Sequence, residues 1–424
     1  MFTLLFYSGN VSGGFYYGGC QIWTLTIDKT MFKKNNLLNF GLLLIYSLLP
    51  GIYKIVDNQM VMAFSIPVIF MLFFCKGLSI VLKKIDLLFL LFLFYISFLC
   101  IIQYFTPNTN RIGLFMGIFL DIIPMAGFFY SRKLLFENFA QILIPIGIIH
   151  LVIGIFLYPL FGLGEIFGDM TSILREGVSI GRMSSVSGSL GFASLMFMVS
   201  MCALYYRKKY FFILLIGVIC AAQRSGWLAC ALGCFFYCIA DLKKGNFSSI
   251  KKWVIGSFSF IILLSYVTVK MDIDVSYFME RFDDIDKATG ERSGQWTAGI
   301  NNFLSMPIGT GSGQVGQVAA RYEEGIYYVV PDGDYFRVLS EFGFAGALFY
   351  IVFLLLFLFS CCSISESYSM KRNCLLSLFC GINIQMIGSN ITEFYFTNFL
   401  YWTFMGYIFL EFNLLFVSKN NLIK

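Results

Sequence analysis

In a chain poor in charge, a few residues have the types and spacing to do chemistry: Arg175, Arg182, Arg224, Arg292, Asp332 and Asp334. A guanidinium presents a planar fork of donors that matches paired phosphate oxygens, so arginines brought together from separate loops make an anion site. Arg182 opens the polar run Arg182-Met-Ser-Ser-Val-Ser-Gly-Ser-Leu-Gly-Phe, and Arg175 lies just before it. Asp332 and Asp334, in Pro331-Asp-Gly-Asp-Tyr-Phe-Arg, offer carboxylates as a general base or as acceptors for hydroxyl groups. Acids beside Pro and Gly also suit a plain turn.

Arg224 is the most informative of these. A helix running from Tyr210 to Arg224 rises only ~21 Å at ~1.5 Å per residue, against a hydrocarbon core of ~30 Å. The turn that carries Arg224 is therefore sunken, and a cation held there requires water, an acid or an anionic ligand. Snorkelling of the long side chain to the headgroups is the other reading. Arg292 precedes a helix expected around Trp296; a cation at a helix N-terminus is disfavoured unless an anion binds there too. A salt bridge to Glu291 or Asp286 would also account for it.

Other groups carry weaker signals. Gly311-Ser-Gly-Gln-Val-Gly316 matches the dinucleotide pattern G-x-G-x-x-G, but no strand precedes it, so the match is false. Gly311 and Gly313 are expected instead to form an exposed turn that a ligand can approach closely. His150, the one histidine, and Asp121 lie mid-span in adjacent antiparallel segments at similar depth, which predicts a buried Asp121/His150 pair, structural or proton-relaying. Cys230, Cys234 and Cys238 recur at helical spacing without an accompanying histidine or acid, so they read as packing residues rather than a metal site. Most of the 12 cysteines lie in apolar segments, against a disulfide framework.

The elements that must position these groups are membrane helices. The chain is 58% hydrophobic and 13% charged, with a mean hydropathy of +0.78, far from the ~45–50% apolar and ~25% charged typical of soluble domains. Apolar stretches recur along its whole length, predicting one all-α polytopic membrane domain over 31–424 with about twelve spans. They start near Leu37, Met60, Asp86, Ile112, Ala140, Gly188, Tyr210, Ser225, Lys252, Phe342, Asn373 and Phe394. Residues 1–30 lack the features of a signal peptide and read as an extension ahead of a more natural start at Met31.

Basic clusters such as Lys33/Lys34, Lys83/Lys84, Arg132/Lys133, Arg207/Lys208/Lys209, Lys243/Lys244 and Lys371/Arg372 fall on alternate connections. The positive-inside rule makes that side, and both termini, cytoplasmic. Scattered between apolar runs, these clusters set topology and give no reason to invoke nucleic acid, despite a net charge of +6. Two outer loops remain, 162–187 and the large, acidic 271–341 between spans nine and ten. Within the latter, Val275, Phe278, Met279 and Phe282 predict one amphipathic helix, and Trp296, Ile300, Phe303 and Leu304 a second, ended by Pro307 and Gly309.

Three stretches together resemble a known family: Arg182-Met-Ser-Ser-Val-Ser-Gly; Ala222-Gln-Arg-Ser-Gly-Trp; and Arg292-Ser-Gly-Gln-Trp, continuing through Pro307-Ile-Gly-Thr-Gly-Ser-Gly. A fourth is Asp332-Gly-Asp-Tyr-Phe-Arg-Val-Leu-Ser-Glu-Phe-Gly. Their order and spacing resemble the O-antigen polymerase and ligase superfamily of bacterial surface-polysaccharide assembly.

The resemblance implies a metal-independent, inverting glycosyltransferase without cofactor, using a glycan on undecaprenyl diphosphate at the periplasmic face of the bacterial inner membrane. It implies that Arg224 and Arg292 hold the diphosphate, with Arg175, Arg182, Trp296, Gly311, Gly313, Tyr335 and Arg337 as further candidates toward diphosphate or glycan. Ligases of the superfamily carry a histidine in the last stretch, where this sequence has Asp332. The resemblance therefore favours a polymerase of the Wzy type for O-antigen or capsule, with Asp332 or Asp334 as base and a chain-length regulator as a possible protein partner. The alternatives are a ligase of the same superfamily, or a polysaccharide flippase or secondary transporter. Few charged side chains lie mid-membrane to serve transport, and no half-and-half repeat is evident.

Overall fold

The computed structural model describes residues 34–56, 59–74, 84–107, 109–157, 172–175, 178–243, 251, 285–322, 333–362 and 369–421. The fold is helical: α1 (Lys34–Val56), α2 (Ser65–Phe74), α3 (Lys84–Tyr104), α4 (Arg111–Gly117), α5 (Gly127–Tyr130), α6 (Phe136–Phe156), α7 (Gly188–Tyr206), α8 (Phe211–Cys220), α9 (Arg224–Lys243), α10 (Ile285–Ser305), α11 (Gly316–Tyr322), α12 (Asp334–Cys362), α13 (Ser369–Ile387) and α14 (Tyr395–Asn421). One antiparallel hairpin, β1 (Ser172–Arg175) with β2 (Val178–Gly181), interrupts it.

Every expected span except the ninth corresponds to a described helix; the ninth, the amphipathic stretch around Val275 to Phe282, and residues 1–30 lie outside the described residues. Among the described residues six segments are long and apolar enough to cross a membrane: Asn36–Tyr53, Ile85–Tyr104, Arg111–Tyr130, Phe136–Phe156, Gly188–Tyr206 and Asp334–Ser360. Met60–Phe74 and Arg224–Ile239 are shorter apolar helices. The chain is a polytopic membrane protein. Large apolar side chains on its rim, such as Phe94, Leu228 and Leu355, are exposed, as lipid-facing residues must be when the solvent is hydrocarbon.

Three departures from expectation shape the interior. The span carrying Asp121 is not one regular helix: α4 passes into a π-helical turn, Ile118–Ile122, then a 3-10 turn, Ile123–Ala126, before α5. Pro124 is the cause, since it has no N–H to donate to the carbonyl of Leu120. The Asn398 amide of α14 takes that place, Nδ2 donating to Leu120 O at 2.9 Å. The second departure is in α12: a helical segment from Asp334 precedes the expected start near Phe342, and a break at Gly343 (φ 64°, ψ −165°) separates it from the rest of the span. Asp334, Arg337 and Glu341, expected in a loop, therefore share one helical face at i, i+3 and i+7.

The glycine turn between α10 and α11 is a third. Gly313 has φ +76°, and a Cβ there would stand 2.0 Å from Gly113 O; one on Gly117 would stand 2.5 Å from Ser312 O. The turn descends along α4 with Gln314 bonded to the backbone of Asn110 in both directions, N–H to Oε1 at 3.0 Å and Nε2 to O at 2.7 Å. Residues 309–316 are buried. The expectation that Gly311 and Gly313 stay open to an approaching ligand is corrected: the α4 backbone meets Gly313, and the side chains of Leu114 and Gln103 meet Gly311. Irregular backbone at this depth is tolerated because protein encloses it.

Candidate functional site

The short seventh span is present, α8 having only 10 residues, roughly 15 Å of helix. Its link to α9 is a tight turn in which Ala222 takes φ 51°. Trp227, one turn into α9, folds back to donate Nε1–H to Val218 O at 3.1 Å and Ile219 O at 3.3 Å, satisfying carbonyls that end α8. The turn thereby fixes half-buried Arg224 as the first residue of α9. Met183 N donates to Cys220 O at 2.9 Å, which holds half-buried Arg182 beside the same turn. Arg175 is the last residue of β1, paired with Val178.

Arg292 does not precede its helix. α10 runs unbroken through Gly290 and Gly294 from Ile285, so Arg292 lies about two turns inside it and the argument from a helix N-terminus does not apply. The helix does end at Ser305, before Pro307, as expected. The half-buried Arg292 guanidinium lies on Gly388, where an added Cβ would meet Nη1 at 3.2 Å and Cζ at 3.4 Å. One residue on, the Ser389 hydroxyl is 3.2 Å from that of Ser225, next to Arg224. The connector between α13 and α14 thus carries the Arg292 guanidinium at Gly388 and, at Ser389, meets the residue next to Arg224. α10 is held there by Ser340 Oγ donating to Gly299 O at 2.8 Å and by Trp296 stacked on Phe336, centroids 5.2 Å apart at 14°.

Arg337 is not at a surface. It is 1% exposed, with Nη1 on Asp121 Oδ2 at 3.0 Å and Nη2 on Asp334 Oδ1 at 3.3 Å, and with further bonds to Glu341 and Thr392. Asp334 is wholly buried; its Oδ2 accepts from the N–H groups of Ile391 (2.6 Å) and Thr392 (3.0 Å), and its Oδ1 from Thr392 Oγ1 at 2.6 Å. Glu341 Oε1 accepts from Gly313 N at 2.7 Å, and Glu393 Oε1 from Gln317 N at 2.7 Å. Burial pushes Glu393, in the connector, up to about 8, against the pull of Arg337. One guanidinium and four carboxylates therefore clamp α12, the π turn of α4, the glycine turn and the connector together.

These partners correct the reading of the mid-span charges. Asp121 pairs with Arg337 and accepts from Ser312 Oγ, whereas the two ring nitrogens of His150 are bonded to the hydroxyls of Ser185 (2.8 Å) and Ser47 (2.9 Å). No Asp121/His150 pair forms, because the unwound π turn aims Asp121 at the glycine turn. Tyr335 donates its hydroxyl to Asn383 Oδ1 at 2.8 Å, bracing α12 on α13. Asp332 lies outside the described residues. Sequence reasoning passed over the connector Gly388 to Phe394 altogether. Glu393 and Glu341, acids beside apolar runs, were its available signal, since ionisable groups at membrane helices are seldom idle.

Residues 209–351 match the model of a protein family described as O-antigen ligase. The match supports membership of the O-antigen polymerase and ligase superfamily. It covers α8, α9, α10, the glycine turn and the first part of α12, so both Arg224 and Arg292 fall within it. The superfamily is of glycosyltransferase character. No curated protein matches the chain.

Proposed function

We propose that this protein is a polysaccharide repeat-unit polymerase, acting at the outer face of the bacterial inner membrane with both termini in the cytoplasm. The observation that carries the proposal is that the Arg292 guanidinium rests on Gly388 while Ser225, the neighbour of Arg224, meets Ser389 one residue on. Two half-buried guanidinium groups at one end of a bundle of membrane helices suit a lipid-tethered diphosphate, whose tail stays in the bilayer while its head meets the cations.

The donor is a glycan on undecaprenyl diphosphate, and the acceptor a second lipid-linked repeat unit. An acceptor hydroxyl attacks the anomeric carbon, the bond from that carbon to the diphosphate oxygen breaks, and the electron pair leaves on the diphosphate. Charge grows on the leaving group as this bond stretches, so fixed cations stabilise the transition state more than the ground state. Attack from the opposite face inverts the anomeric centre. The acceptor hydroxyl gives its proton to a base. Asp334, buried with both oxygens bonded, is poorly placed for that role, so we assign it to Asp332.

Purified protein mixed with lipid-linked repeat units should build a ladder of chain lengths without added metal or nucleotide. Transfer of single glycans to a lipid A core without a ladder would favour the ligase, and solute flux without transfer would favour a transporter.

A further inference from the structure

Gln385 lies on the last turn of α13, three residues before the glycine on which Arg292 rests. Its side chain is 0% exposed, and among the described residues neither Nε2 nor Oε1 has a hydrogen-bond partner. Leaving a buried polar group unpaired costs about 1–3 kcal/mol, so an amide with neither end satisfied calls for a reason. The surroundings supply one. A Cβ placed on Gly226 would stand 3.7 Å from Gln385 Nε2 and 3.3 Å from Ala193 Cβ, so the amide faces the first turn of α9, two residues from Arg224. Ser225 and Ser389, hydroxyl to hydroxyl, flank it.

An amide offers donors and an acceptor together. A phosphate can use only the donors, and the Oε1 atom would repel it. A sugar ring, whose hydroxyl or acetamido groups both give and accept hydrogen bonds, can use both ends. We propose that Gln385 is a sugar-binding residue that takes the ring directly linked to the diphosphate. This rests on the function proposed above, because the two arginines fix where that ring must lie. In the ligand-free molecule the first turn of α9 lies against the amide, with no side chain on Gly226 and with Ala193 beside it, so a parting of α9 from α13 is what admits the ring.

The test compares two ligands on the purified full-length chain: undecaprenyl diphosphate alone, and the lipid-linked repeat unit extracted from cells that make the polysaccharide. Gln385→Leu keeps the volume and removes the unpaired amide, so its Tm should equal or exceed that of the parent. It should bind the bare lipid within twofold of the parent and the glycolipid at least tenfold more weakly. Gly226→Ala, which favours the helix but fills the space over Nε2, should show the same selective loss. Unchanged glycolipid binding in Gln385→Leu, or an equal loss for both lipids, would overturn the sugar-binding role. If the parent chain binds neither lipid, the polymerase reading itself falls.

Discussion

The guanidinium of Arg292 rests on Gly388, so closely that an added methyl group would stand 3.2 Å from Nη1. A long side chain can yield a few tenths of an ångström at its tip, so Gly388→Ala should be mild. Gly388→Val should push the guanidinium off the connector and cut polymerisation about tenfold or more, equivalent to ~1.4 kcal/mol of transition-state stabilisation. The rate of ladder formation by each purified variant is the measurement; equal rates would show that Arg292 is not held by this contact.

Among the described residues Arg337 is the cation that Asp121, Asp334 and Glu341 share, and its removal would leave all three buried without it. Breaking a buried ionic network from one side costs about 3–5 kcal/mol. Arg337→Ala should therefore lower the melting temperature in detergent and the yield in the membrane. Arg337→Lys should rescue little, because one ammonium cannot span carboxylates on three sides as a planar fork does.

Gly313 has φ +76°, and its Cβ position is occupied by the carbonyl oxygen of Gly113. Gly313→Ala should prevent the glycine turn from seating on α4 and deplete the protein from the membrane fraction. Had the turn been an open ligand-binding loop, the same variant would accumulate normally and lose only activity, so immunoblot set beside activity separates the two.

The hydropathy pattern made the helices legible, down to the short α8 ahead of Arg224, because span length is set by the bilayer and read from a single window. Arg224 was legible for the same reason, an ionisable group in an apolar run being conspicuous, whereas Arg292 stood out only by its place ahead of Trp296 and by the family resemblance. What sequence could not supply was pairing. Asp121 and Arg337 are 216 positions apart, and similar depth made His150 look the natural partner of Asp121. Only the π turn forced by Pro124, with Asn398 at the vacated carbonyl, aims the carboxylate elsewhere. Likewise the apolar pattern places a helix only around Trp296, whereas α10 runs back through Gly290 and Gly294 to Ile285, its packing on α12 overriding their low propensity.

Glu393 gives the fold a pH dependence of defined sign. Its folded-state value of about 8 lies above that of an unfolded glutamate, so the folded chain holds a proton that the unfolded chain releases. The resulting stability is fully present below about pH 4 and is lost as pH rises through about 8. The melting temperature of the parent should fall between pH 5 and pH 9, with Asp121, Asp334 and Arg337 as the charges it faces. Glu393→Gln, neutral throughout, should flatten that slope; an unchanged slope would assign it to another group.

Arg292, from inside α10, rests on the connector, and Arg224 is the first residue of α9, next to the Ser225 that meets Ser389 of the connector. If both hold the same diphosphate, each contributes mainly when the leaving-group charge develops. Removing one fixed donor of this kind typically lowers turnover about 10²–10³-fold. Arg224→Ala and Arg292→Ala should each abolish long polysaccharide in cells while leaving the protein in the membrane, since neither belongs to the Arg337 cluster. Because the two act on one group, the double variant should be much less than multiplicatively worse than either single one. Normal chain length in either single variant, with protein amount unchanged, would remove that arginine from the mechanism; fully multiplicative losses would place the two guanidinium groups on separate ligands.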